Sequence, residues 1–435
     1  MNLRMLGGRL ERAAVRGQTK ITGAALGPYQ SAVVRIGFSF TWLLFLLREW
    51  PHRQVLYGPD SPWAAHMARQ LIEGNGAFTA LMWSDSQAWF EAVYVVAVLS
   101  SALLLLGWRT RTMSVLFMVG VLSLQNRNIF VGDGGDNIIH LMSIYLVLTR
   151  CGQVWSLDAR RAARRRQRPS SPISPASHVP SHAYGTSAPP APPSNTSPPE
   201  IIRTPGLFGS DSTGVVLWTL LGTTLAVITA LGELSGGWAL IFWGLWAIHA
   251  AWWAVCRYAP GEPRAVMDAL ANLAHNATLV VIMGQVCLIY ATAGWYKIQG
   301  TRWQDGTAVH YPLNLDYFSP WPGLTDVLAS NGTMVMVLSY GTVFVQVAFP
   351  FALLNRRAKN TLLVVMMLEH VGIAVVLGLP FLSLAMIAAD SVFLPTIFLC
   401  WLGSTLRRGR ERLLRRPADK PERDAGQRAA RTLVG

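Results

Sequence analysis

Lys297 ends a long apolar run, in the stretch Tyr290-Ala-Thr-Ala-Gly-Trp-Tyr-Lys297, and a turn carrying Arg302, Trp303 and Asp305 follows at once. An amine held away from water gives up its proton readily and can then act as a base. On a helix, Gly294, Ala293 and Tyr290 share its face at i−3, i−4 and i−7, a small-residue face suited to close packing. The competing reading is a lysine at a helix end whose ammonium reaches the outer headgroups along its own alkyl stem. Other ionisable residues also interrupt apolar runs, namely His249, the neighbours Glu369 and His370, and Asp390. Such groups are costly in lipid and normally face a bundle interior or a cavity, which makes each a candidate. Glu369 and His370 are consecutive and point about 100° apart, so only one is expected at a given site, and His370 is the choice. Asp390 is expected to pair with Arg127, Lys297 or a histidine, and His249 to be a hydrogen-bonded core residue.

A second polar cluster stands in Gln125-Asn126-Arg127-Asn128 and the Gly-rich run Gly132-Asp133-Gly134-Gly135-Asp136. Arg127 and Asn128 with Asp133 and Asp136 could bind a charged substrate group, or brace their own turn. No Ser-His-Asp order, phosphate loop, dinucleotide fingerprint or metal-ligand spacing stands out, and no metal is expected. Cys151, Cys256, Cys287 and Cys400 are widely spaced in or beside apolar runs and read as packing thiols.

The elements that must position these residues are membrane spans. The 435 residues are 51% hydrophobic and only 14% charged, against about 25% charged in soluble domains. Apolar runs long enough to cross a bilayer recur throughout, so the fold class is all-α, a polytopic integral membrane bundle of about ten transmembrane helices. The expected spans cover 31–47, 88–106, 113 to the Gln125 turn, 137–148, 213–231, 238–256, 272–296, 334–354, 361–379 and 381–402. Between the first two lies an outer loop with an interfacial helix near Trp63 to Ile72. Arg35, near the start of the first span, is expected to snorkel to the inner headgroups.

The net charge of +14 sits in tails and short turns, which is the positive-inside signature and not a nucleic-acid footprint. It places the chain in the plasma membrane with both termini cytoplasmic, and the Lys297 and Arg127 stretches together on the outer side. Residues 1–30 form a basic cytoplasmic segment, 31–157 a first transmembrane half and 213–403 a second half that carries Lys297. Between the halves, 158–212 is an Arg-rich, then Pro/Ser-rich linker expected to be disordered, and 404–435 is a basic cytoplasmic tail.

Ala293-Gly294-x-x-Lys297 followed by Trp303-x-x-Gly306 resembles the pattern of the vitamin K-dependent γ-carboxylases and of the broader bacterial family called HTTM, the horizontally transferred transmembrane domain. The Asn126-Arg127-Asn128 turn with Asp133-Gly-Gly-Asp136, and Glu369-His370-x-Gly372-Ile373 running on to Asp390, are similar to the bacterial members. The resemblance implies that Lys297 is the base that deprotonates a reduced naphthoquinone, a menaquinol or vitamin K-like quinol. His370 would assist it, while Arg127, Asn128, Asp133, Asp136, Trp303 and Asp390 bind substrate, in a carboxylase-like lyase or oxidoreductase. The carboxylases' histidine has no counterpart in Gln125 to Asn128, so the resemblance carries the base and not a peptide glutamate as substrate. The rival class is a non-enzymatic membrane partner for maturation, export or immunity of a small secreted or membrane-anchored protein. In both readings the lipid bilayer is the surrounding partner.

Overall fold

Ten apolar segments separated by basic turns dictate helices, because only a helix satisfies its own backbone groups in lipid. The computed structural model describes residues 3–167 and 212–414, and among them every regular element is helical. Helix α1 (Leu3–Gly23) precedes α2 (Pro28–Arg48), and the short α3 (Arg53–Tyr57) and α4 (Ala65–Asn75) follow. The first half continues through α5 (Gln87–Leu106), α6 (Thr110–Arg127), α7 (Gly134–Leu148) and α8 (Leu157–Gln167). The second half holds α9 (Ser212–Ala230), α10 (Gly236–Tyr258) and α11 (Glu262–Gln299), then the short α12 (Thr301–Gln304), α13 (His310–Leu313) and α14 (Pro322–Ser330). It closes with α15 (Gly332–Ala352), α16 (Arg356–Val376), α17 (Pro380–Asp390) and α18 (Thr396–Leu414).

The chain is an all-α polytopic membrane bundle. Among the described residues seven helices, α2, α5, α9, α10, α11, α15 and α16, are individually long and apolar enough to cross a membrane. The other three expected spans are helical but differ from simple rods. α7 has 15 residues, about 22 Å against the ~30 Å hydrocarbon core, and α6 has arginine near both ends. The expected tenth span is interrupted between α17 and α18. The seventh, expected over 272–296, extends to 38 residues, so about 57 Å of continuous helix outruns the bilayer.

Two sequence expectations are corrected. Arg35 does not snorkel: it is fully buried, and its guanidinium donates to the carbonyls of Leu104 (2.6 Å), Leu105 (3.1 Å) and Trp155 (2.8 Å). The last carbonyls of α5 lack intrahelical partners and carry the negative end of the helix dipole, so a cation within reach of them is better placed there than in the headgroups. Residues 158–167 are not part of a disordered linker but belong to α8. Asp158 in its first turn accepts from the amides of Arg109 (2.9 Å) and Thr110 (2.8 Å), capping α6. The remainder of that linker, 168–211, lies outside the described residues.

The extra length of α11 has a use. Asn272, His275 and Asn276 turn to the segment after α1, with Asn272 donating to the Thr22 carbonyl (2.8 Å) and Asn276 accepting from the Leu26 amide (2.7 Å). His275 Nδ1 accepts from the Arg150 amide (2.9 Å), which leaves Nε2–H to donate to the Leu26 carbonyl (2.8 Å). One helix end thereby ties α1, the end of α7 and itself together.

Glycines set the closest helix approaches. A Cβ on Gly37 of α2 would lie 2.4 Å from Cβ of Ala388 on α17, and one on Gly135 of α7 would lie 2.6 Å from the Leu382 Cα. α17 is thus wedged against α2 and α7 by backbone-to-backbone contact, which fixes the depth of Asp390 at its C-terminal end. α18 belongs to a separate unit that begins at Leu394 and is a helix of 19 residues with basic residues in its last turns.

Candidate functional site

Tyr290, Gly294 and Lys297 lie on one face of α11, four and then three residues apart. Gly294 is buried, and a Cβ there would stand 2.6 Å from Val347 Cγ2 on α15. This absence of a side chain lets α15 press antiparallel against the face, with Phe349 edge-on to Tyr290 at 5.8 Å between ring centroids. Gln346 is consequently brought to Lys297, whose Nζ donates to Oε1 at 2.7 Å. The amide's other end donates to Glu369 Oε1 on α16 at 2.9 Å. An amide therefore stands between the amine and the carboxylate and contacts both.

A second cluster lies two turns deeper on the same face, about 10 Å along the axis from Lys297. The Tyr290 hydroxyl is 3.0 Å from each carboxylate oxygen of Asp390 and 3.1 Å from His370 Nε2. All three side chains are buried, Asp390 at 0% exposure. Three helices, α11, α16 and α17, each contribute one member.

As their spacing requires, only one of Glu369 and His370 faces the Lys297 site, but it is Glu369 and not the expected His370. Their ~100° separation aims them at different partners, Glu369 at Gln346 beside Lys297 and His370 at Tyr290 beside Asp390. Asp390 meets its histidine through a shared phenol. Gln346 and the central position of Tyr290 were missed, although Gln346 is an amide inside the apolar run Val343 to Leu354, and Tyr290 is at i−7 from the lysine.

Trp303 folds back from the turn after α11 and places its ring 5.3 Å from Lys297 Nζ, within cation–π reach. Gly306, at φ 76°, closes that turn against Met336 and Tyr340, and the Tyr340 hydroxyl donates to the Gln304 carbonyl at 2.8 Å. In the same exposed turn the Thr307 hydroxyl and amide donate to Asp305 and hold its carboxyl below the usual range.

Arg127, Asn128, Asp133 and Asp136 are drawn elsewhere, onto backbone. Arg127 is buried and donates to the carbonyls of Trp63 and Gly58, both at 2.9 Å, while Asn128 donates to Leu56 at 2.8 Å. Asn126 donates to the Phe78 carbonyl at 2.8 Å. These side chains clasp the segment between α2 and α5 over the ends of α6 and α7. Beneath that clasp Tyr57 is buried, and burial pushes its phenol well above the usual value. Asp133 and Asp136 form a reciprocal capping box at the start of α7, with Asp133 accepting from Gly135 N (2.7 Å) and Asp136 from Asp133 N (2.8 Å). The turn thus follows its bracing alternative, and His249 lies exposed on α10. Asp133→Ala should lower stability by about 1 kcal/mol, the usual worth of an N-cap. A detergent-solubilised variant melting with the wild type would refute that role.

Among the described residues no group of three or more His, Cys, Asp or Glu side chains could hold a metal ion. Compared with protein-family models, with curated proteins and with solved structures, the chain matches none.

Proposed function

We propose that this chain is an HTTM-type membrane protein in which Lys297 acts as a base toward a lipid-soluble phenolic substrate, with a reduced naphthoquinone as the first compound to try. The observation that carries the reading is the amide bridge, because Gln346 and not a carboxylate holds the amine. A lysine paired directly with Glu369 would be fixed as its ammonium, whereas here Nζ donates to a neutral oxygen. The carboxylate one amide away still favours the ammonium once a proton arrives.

The surroundings suit an aromatic ring arriving from lipid. Trp295 and Tyr296 stand exposed on α11 next to Lys297, and Trp303 covers the amine. A bound naphthoquinol would supply an ionisable phenolic O–H. Lys297 would take that proton on its nitrogen lone pair, Gln346 would hold the amine's direction, and Trp303 would limit water. The reading places the Lys297 end of α11 outward and both termini in the cytoplasm of a cell membrane, on the strength of the basic clusters at Arg109 to Arg111, Arg257 to Arg264 and Arg356 to Lys359.

The test is reconstitution in lipid vesicles with a reduced naphthoquinone and oxygen, following quinol consumption. A positioned base contributes about 10²–10⁴-fold, and Lys297→Ala should lose that much while Lys297→Arg, an obligate cation, fails to rescue it. Full activity in Lys297→Ala rejects the role, and no consumption by the wild type rejects the substrate. If a cellular function survives Lys297→Ala but not Gly294→Val, the chain is a non-enzymatic partner held together by that helix contact.

A further inference from the structure

We propose that Tyr290, His370 and Asp390 form a buried proton-exchange centre, which takes up and releases one proton between His370 and Asp390 through the Tyr290 hydroxyl. The inference does not rest on the activity of Lys297.

The donor and acceptor count leads to it. A phenol has one proton, and the Tyr290 hydroxyl lies equally close, at 3.0 Å, to both oxygens of Asp390. With that proton directed at the carboxylate, His370 Nε2 must carry hydrogen to donate to the phenol oxygen at 3.1 Å. His370 Nδ1 is then a bare acceptor, buried and without a hydrogen-bond partner. A proton added at Nδ1 balances cleanly. The Nε2 proton passes to the Tyr290 oxygen, the phenol proton passes to Asp390, and the result is a neutral imidazole, a phenol and a carboxylic acid. Every hydrogen bond survives with its direction reversed, and the cluster changes from one negative charge to none. No redox partner is involved.

Two features separate this from a static core network. A buried carboxylate is costly unless its charge is met by a cation or several donors, and the hydrogen-bond partner Asp390 has is a single phenol. Ser383, seven residues earlier on the same face of α17, is also buried with its hydroxyl unpartnered. It continues a line of polar atoms from Asp390 toward the Pro380 end of the helix.

The charged and titratable groups facing the cluster are few. α11 brings Lys297, close enough to act on His370 through its charge, and the neutral Cys287 thiol, within reach of the charge on Asp390; α16 brings Glu369, close enough to act on Asp390. α15 brings the neutral Gln346, already engaged with Lys297 and Glu369. On α2, Arg35 is held by backbone carbonyls and Arg48 lies over Phe381 near the start of α17. On α7, Asp136 is in its capping box and His140 on Gln125.

The experiment is infrared difference spectroscopy of the full chain in vesicles, comparing pH values and water with heavy water. The wild type should show the C=O stretch of a protonated carboxylic acid that changes with pH and shifts in heavy water. Asp390→Asn should abolish that band, Tyr290→Phe should move it by removing one oxygen without a change of shape, and His370→Gln should alter its pH dependence. If Asp390→Asn does not fold, the Tyr290→Phe shift still decides. A wild-type spectrum with no such band, a band unmoved by heavy water, or one indifferent to Tyr290→Phe overturns the proposal.

Discussion

Arg35→Leu should destabilise the bundle by about 3–4 kcal/mol, since buried hydrogen bonds to a charged donor are worth ~1.5–3 each and an orphaned carbonyl costs ~1–3. The leucine fits the lipid-compatible interior but leaves the Leu105 and Trp155 carbonyls unmet, and the Leu104 carbonyl with the Gly107 amide alone, between α2, α5 and the segment before α8. Gly107 sits in the same junction at φ 70°, where an added Cβ would meet Ser156 Cβ at 2.3 Å and Arg35 Nη1 at 2.6 Å, so the junction cannot close up around the loss. Arg161→Ala is the contrast. Arg161 is exposed and its carboxylate partner is 4.0 Å away, so its removal should cost under about 0.5 kcal/mol. Thermal unfolding in one detergent compares the two. Equal melting of both variants would mean that Arg35 sits in the headgroups after all.

The second large effect concerns Gly37, whose contact with Ala388 involves no ionisable side chain itself. Valine at this position must push α17 away from α2, because a Cβ alone would already stand 3.1 Å from the Ala388 Cα and closer still to its Cβ. Overpacking of this kind costs about 1–3 kcal/mol and more where backbone blocks relaxation. The displaced residue is two before Asp390, so the carboxylate should leave Tyr290 and the infrared band assigned to it should move or vanish. Gly284→Ala and Gly372→Ala, which meet nothing within 4 Å, should change neither stability nor spectrum. A Gly37→Val protein with wild-type stability and an unmoved band would show that α17 is not positioned by this contact.

The two clusters on α11 differ in how they meet the bilayer. Lys297 is half-buried near the helix end, beside exposed aromatic rings, and can meet a molecule arriving from the lipid. Tyr290, two turns deeper, is enclosed with His370 and Asp390 and is suited to hold or pass something no larger than a proton. A single face of one helix thus carries an accessible amine and an enclosed relay, and substitutions at one are not expected to reproduce the effects of the other.

Much of this was determined by the sequence itself. Long apolar runs with basic turns permit only helices in lipid, and all ten expected segments are helical because their backbone groups have no other partner there. The i, i+4, i+7 spacing of Tyr290, Gly294 and Lys297 set their common face before any neighbour was known. Partner choice was left to the tertiary structure. Arg35 and Arg127 look alike in sequence to residues that snorkel or bind substrate, yet each found backbone carbonyls presented by segments 64 or more residues away, and no local pattern encodes that proximity. Glu369 and His370 took different partners for the same reason. Their 100° separation is a property of the helix, but which helices stand on either side depends on close contacts such as Gly294 with Val347 and Gly37 with Ala388. Intrinsic helix periodicity fixed the direction of each side chain, and long-range packing alone decided what lay in that direction.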